Sequence, residues 1–212
     1  MTLLPPPFYP DTDGKPMAEN TVQADWIGIL KWGAEAQFRD RPDVFVAMDH
    51  LIYPEEGNNK LRLAPDVYVA FGRPKGDRGS YQVWREGGVF PQVVMEVWSP
   101  GNDAGEMDDK RAFYDRHGAE EYYVLYPDFP AHAQGWVRAG GALVPVADLP
   151  GHTSPRLGWR FQVAVGRLTV HGPDGRPLRK PDEVAAERDA ERQRADRLAA
   201  KLRALGVDPD AD

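Results

Sequence analysis

At residues 92–99 the sequence reads Gln92-Val93-Val94-Met95-Glu96-Val97-Trp98-Ser99. This nearly continuous apolar run predicts a strand covered on both faces. Alternation places Val94, Glu96 and Trp98 on one face and Val93, Met95 and Val97 on the other. Glu96 is the anomaly in that strand. An ionised carboxylate there is costly unless it is paired, hydrogen-bonded or bound to a cation, and Arg62 or Lys110 could supply the pairing.

Downstream, Pro100-Gly101-Asn102-Asp103 breaks the strand, and Ala104 to His117 reads as a helix closed by Gly118. At 100° per residue, Met107, Phe113 and Tyr114 fall around Lys110, which therefore lies within the apolar face and must snorkel out or meet an acid. Asp108, Asp109 and Arg111 belong to the solvated side. Glu121 to Tyr126 reads as a strand. Gly135 to Val146 reads as a hairpin about Gly140-Gly141, and two short strands are expected near Phe161–Val165 and Leu168–His171.

Upstream, Leu61 to Phe71 is a further strand candidate, with Asp66 set behind Pro65 in an otherwise β-prone run. Such a proline also fits a strand edge. The loop 72–80, GRPKGDRGS, is glycine-rich and basic. Val44–Met48 and Leu51–Tyr53 read as strands. Between Asn20 and Phe38, Val22, Trp26, Ile29, Leu30 and Gly33 recur at helical spacing, with Asn20 or Thr21 as the cap. This order of elements predicts a mixed α/β layer architecture.

The 212 residues carry 42% hydrophobic and 28% charged side chains, enough for a real core. Three parts are expected: an extended proline-rich arm over 1–16, one compact domain over 17–175, and a charged helical tail over 181–206. Arg188 and Glu191 interrupt the tail's heptad seam, so a solvated helix and a partner-binding coiled coil both fit it. With no cysteine, disulfides, thiolate metal sites and cysteine nucleophiles are excluded. No apolar run is long enough for a membrane span, and no basic-then-apolar leader opens the chain, so a cytoplasmic address is expected. The net charge of −7 argues against non-specific coating of polyanions, but leaves room for a nuclease with a local basic rim.

Two acids on neighbouring strands, Asp66 and Glu96, suggest a site able to share a hard cation through oxygen ligands. A structurally satisfied carboxylate is the competing reading for each. The five histidines are scattered without an i, i+4 pair, which disfavours a zinc hydrolase. Neither the phosphate-loop spacing nor a G-x-S-x-G elbow is present.

LAPDVYVAFG, VVMEVWSPGND, KRAFYDRHGAEEYYVLYP and the late LGWRF together resemble the Uma-two family of bacterial restriction-endonuclease-like proteins, within the PD-(D/E)XK nuclease superfamily. The similarity spans roughly residues 17–175. It implies a restriction-endonuclease-like core, a central mixed β-sheet flanked by helices. By that resemblance Asp66 matches the motif aspartate and Glu96 the motif glutamate. Trp98 stands where the superfamily usually has lysine, and Lys110 matches a lysine that has migrated to the next helix. Tyr126 replaces an acid common among relatives, and Glu19 matches an N-terminal helix acid of some superfamily members.

The implied activity is Mg²⁺-dependent hydrolysis of DNA, with Mn²⁺ able to substitute. Asp66, Glu96 and the Val97 carbonyl would hold the metal, and Lys110 would orient the attacking water. Arg73, Lys75, Arg78 and Arg85 are candidates for phosphate contacts, although for each residue taken singly a solvated turn is the stronger reading. A homodimer is expected because double-strand cutting needs two sites. The alternative is a catalytically inactive nuclease-fold protein that acts through its helical tail.

Overall fold

The computed structural model describes residues 7–14, 16–128, 130–206 and 208. Part of the expected N-terminal arm, residues 1–6 and 15, lies outside the described residues. The chain divides into two compact units after Leu178.

The first unit opens with helix α1 (Thr21–Gln37), whose N-cap Asn20 accepts a hydrogen bond from the Gln23 amide. Its buried stripe is Gln23, Ile27, Leu30 and Ala34. The stripe expected from the sequence lies one position round the helix from this one, which shares only Leu30 with it and takes in the polar Gln23. Val22 is accordingly exposed. Strands β1 (Val44–Met48), β2 (Ile52–Tyr53), β3 (Val67–Phe71), β4 (Tyr81–Gln82) and β5 (Val93–Val97) follow, with a 3₁₀ turn at Val83–Glu86. Then come α2 (Ala104–His117), β6 (Glu121–Tyr126), β7 (His132–Ala139), β8 (Ala142–Pro145), β9 (Arg160–Ala164) and β10 (Arg167–His171). The strand expected from Leu61 narrows to β3, since Pro65 cannot donate to a ladder and Leu63 makes only an isolated bridge to Ile52.

Six strands form one mixed sheet in the order β1-β3-β5-β6-β7-β8. β5 and β6 are parallel, while the other neighbours in this sheet are antiparallel. Helix α2 makes the crossover that a parallel pair requires. Asp103 caps it, accepting from the Glu106 amide at 2.9 Å, and Gly118 ends it at φ 100°, a conformation that glycine adopts without steric cost. β5 is buried along its whole length. Its Val93, Met95 and Val97 join α1 and the β9–β10 hairpin in one core, and Val94 joins Met107 and Tyr114 of α2 in the other. The alternation expected for this strand therefore holds on both faces.

Residues 8–10 are docked. The Asn59 side chain donates to the Phe8 carbonyl at 2.9 Å, the Tyr53 hydroxyl donates to the Pro10 carbonyl at 2.7 Å, and Tyr9 packs against Tyr53 and Trp84. The second unit contains α3 (Pro181–Ala204), none of whose residues is buried.

The β9–β10 connection is a two-residue turn, Val165-Gly166, with φ 52° and 69°. Hairpin turns of this kind favour Asn-Gly, and a β-branched residue at positive φ is strained. Val165 is 96% exposed, so its side chain gains nothing from packing in return. Val165→Asn should raise stability by about 1 kcal/mol, or roughly 2–4 °C in Tm, in a thermal melt. An unchanged or lower Tm would show that the turn carries no such strain.

Candidate active site

The two carboxylates singled out by sequence come from adjacent strands. Val67 of β3 pairs with Met95 of β5 in an antiparallel register, so one further step sets Asp66 opposite Glu96 on the same face. Glu96 is 1% exposed. Its Oε1 accepts from the Tyr114 hydroxyl at 2.7 Å and its Oε2 from Lys110 Nζ at 3.0 Å. Both donors come from α2, one helical turn apart, which is the geometry the helical wheel implied. Glu106 Oε1 lies 3.7 Å from the same ammonium.

Asp66 Oδ2 accepts from the Val97 amide at 2.6 Å. Burial, reinforced by the charge of Glu96 and by Asp49, pushes the Asp66 carboxyl up to about 8, against the pull of the Val97 amide and Lys110. Burial alone would lower the Lys110 ammonium, yet Glu96, Asp66 and Glu106 hold it above its ordinary value. The site is thus two acids crowded around one cation.

The Val97 carbonyl accepts from Gln23 Nε2 at 3.0 Å, while Gln23 Oε1 accepts from the Glu19 amide at 2.8 Å. Glu19 Oε2 in turn accepts from the Ser99 hydroxyl at 2.7 Å and the Gly101 amide at 3.0 Å. Helix α1 therefore holds the end of β5 from the opposite face. Sequence reading does not single out Gln23, although its place at i, i+4, i+7 and i+11 with Ile27, Leu30 and Ala34 was the available signal. Tyr114 was placed facing inward but given no partner. Asp49, whose backbone φ is 43°, binds the Pro65 and Asp66 carbonyls through its amide and so fixes the entry to β3.

The donors suited to a cation are all oxygens, the chemistry of a hard divalent ion. Among the described residues no group of three or more His, Cys, Asp or Glu side chains could hold a metal. Two carboxylates and a carbonyl, which keeps a second lone pair beside the Gln23 bond, nevertheless fit an ion that retains several waters.

A cavity of about 550 Å³ adjoins the site, lined by Lys60, Arg62, Leu63, Glu106, Lys110 and Phe113 among others. The loop 72–80 lies differently. β3 runs from beside Asp66 to Phe71, so the start of the loop is roughly 16 Å along the strand from the acids. Arg73 donates to the Gly72 carbonyl, and Lys75 donates to the Phe38 and Arg39 carbonyls at 2.7 and 3.0 Å. Arg78 is paired with Glu86 at 2.6 Å and stacks over Phe45. Arg85 is exposed on the 3₁₀ turn. The structure does not bring Arg73 and Lys75 to the acids.

The protein is thus of the mixed α/β class, with two carboxylates and a lysine gathered on one face of its central sheet. The sequence model of the Uma2 family, described as "putative restriction endonuclease", matches residues 14–131, and the chain belongs to that family. Among solved structures, the chain is similar to a putative nuclease belonging to DUF820 from Anabaena variabilis. The identity is 11% and the TM-score 0.48, covering 66% of this chain and 74% of that one. No curated protein matches. Among the described residues, no helix is long and apolar enough to cross a membrane.

Proposed function

We propose that this chain is a Mg²⁺-dependent endonuclease that hydrolyses DNA phosphodiester bonds at Asp66, Glu96 and Lys110. The observation that carries the reading is the crowding of two carboxyls from neighbouring strands about one lysine, with Asp66 pushed up to about 8. Asp66, Glu96 and the Val97 carbonyl would hold the ion. When bound, Mg²⁺, or Mn²⁺ in its place, supplies Lewis-acid polarisation of the phosphate and a more acidic water.

The chain's own residues do the positioning. Tyr114 holds Glu96 through Oε1, and Gln23 fixes the Val97 carbonyl. Lys110 would orient the attacking water and offset charge developing on the phosphoryl oxygens. Arg85 is exposed to meet a flanking phosphate, whereas Lys75 and Arg78 would first have to leave their present partners. A homodimer would present two such sites.

The test is Mg²⁺ and Mn²⁺ calorimetry of wild type, Asp66→Ala and Glu96→Ala, followed by incubation with supercoiled plasmid. Wild type should bind metal in the millimolar range or tighter and nick the plasmid, and both variants should do neither. A wild type that binds no metal and never nicks would end the proposal and leave the inactive, tail-mediated role as the alternative.

A further inference from the structure

Trp98, Tyr126 and His132 form a ladder of rings across three adjacent strands, at the edge of the face that carries Glu96. Val97 pairs with Leu125, and the Trp98 amide donates to the Leu125 carbonyl at 2.8 Å, which brings Trp98 beside Tyr126. Tyr126 pairs with His132 across β6 and β7. The Trp98 and Tyr126 ring centroids lie 5.1 Å apart at 30°, and those of Tyr126 and His132 lie 4.0 Å apart at 8°. Tyr126 is sandwiched between Trp98 and His132. Trp98 is only partly buried and His132 is exposed. Trp98 is also two residues beyond Glu96 on the same strand face, roughly 6.6 Å along the chain. A nucleotide's own span from phosphate to base is of the same order.

We propose that this ladder stacks an unpaired nucleobase of the strand whose phosphate sits at Glu96 and Lys110, and that the substrate is single-stranded or locally unpaired nucleic acid. The inference rests on the nuclease reading above. A base inside a duplex has both faces covered by its neighbours, so a protein ring can stack only on a base that is splayed, terminal or unpaired.

The test uses the full chain with Ca²⁺ replacing Mg²⁺, and fluorescein-labelled oligonucleotides read by anisotropy. The probes are a single strand, the matching blunt duplex, and single strands with one abasic position moved along the sequence. Wild type should hold the single strand about tenfold or more tighter than the duplex, with a shallow salt dependence. Trp98→Ala should lose about tenfold on the single strand, and Trp98→Phe should recover most of it. One abasic position should reproduce the loss in wild type and cost nothing further in Trp98→Ala. Should Trp98→Ala fail to fold, Trp98→Phe and the abasic series on wild type still decide the matter.

Equal binding of duplex and single strand, with no sensitive abasic position, overturns the inference. Plasmid nicking that persists alongside that result leaves the nuclease reading intact. A chain that binds neither nucleic acid nor metal loses both readings together.

Discussion

Lys110→Met is expected to cut plasmid nicking by about a hundredfold to a thousandfold, the range for removing one preorganised donor from a developing oxyanion. The variant should also be less stable. Lys110 Nζ lies 3.0 Å from Glu96 Oε2, and Glu96 is almost fully enclosed while the lysine side chain is 17% exposed. Removing the ammonium leaves the buried carboxylate with the Tyr114 hydroxyl on its other oxygen and with Asp66 facing it. Breaking one side of a buried pair costs about 3–5 kcal/mol, a large share of an ordinary domain's stability. Lost activity could then reflect lost folding, and a second variant separates the two. Lys110→Met combined with Glu96→Gln removes both charges, keeps the Tyr114 hydrogen bond, and should recover most of the melting temperature without recovering any nicking. Wild-type nicking by folded Lys110→Met would remove lysine from the chemistry altogether.

The fold was legible because its signals are local. The covered strand 93–97, the capped helix Ala104–His117 and the Gly140-Gly141 hairpin each follow from periodicity or turn chemistry. The same periodicity set Lys110 in the apolar face between Met107 and Tyr114, with a choice between snorkelling out and meeting an acid, and the structure takes the second. What stayed hidden were contacts that join distant segments. Gln23 reaches the Val97 carbonyl across 74 residues of chain, and a polar residue in a helix carries no local mark of such a partner. The two-residue strand β4 is defined only by its parallel pairing with β2, so neither its length nor its pattern announces it. The basic loop is a different case. Clustered positive charge suggests a phosphate track, but Lys75 and Arg78 spend their donors on carbonyls and on Glu86, holding the loop itself in shape. Glu121 shows why burial alone does not define a reactive acid. It is as buried as Glu96, yet it accepts from the Tyr123 hydroxyl, the Ser154 hydroxyl and the Arg156 amide, which anchors the 154–156 turn to β6.

Asp66→Asn should make the metal-free protein more stable, and the gain should grow with pH. Asp66 ordinarily titrates near 3.8, but in the fold burial, then the charge of Glu96, then Asp49 raise it to about 8, with the Val97 amide and Lys110 opposing. Between those two values the folded chain holds a proton that the unfolded chain has released. Stability therefore falls as pH rises through this window, and the loss is complete once the folded carboxyl ionises above about 8. Asparagine keeps an oxygen for the Val97 amide and carries no charge, so it escapes the penalty. Asp66 keeps part of its surface in water, so only a fraction of the shift reaches stability, on the order of 2 kcal/mol, or roughly 4–8 °C in Tm. Melts in EDTA at about pH 4.5 should show the two proteins level, and at about pH 9 the variant ahead. A gap that stays flat with pH would mean that Asp66 is not held protonated by its surroundings. Adding Mg²⁺ at the higher pH should reverse the order if Asp66 is a ligand, because wild type alone would gain the binding energy. The residue that weakens the empty fold would then be the one that makes the loaded fold the stronger of the two.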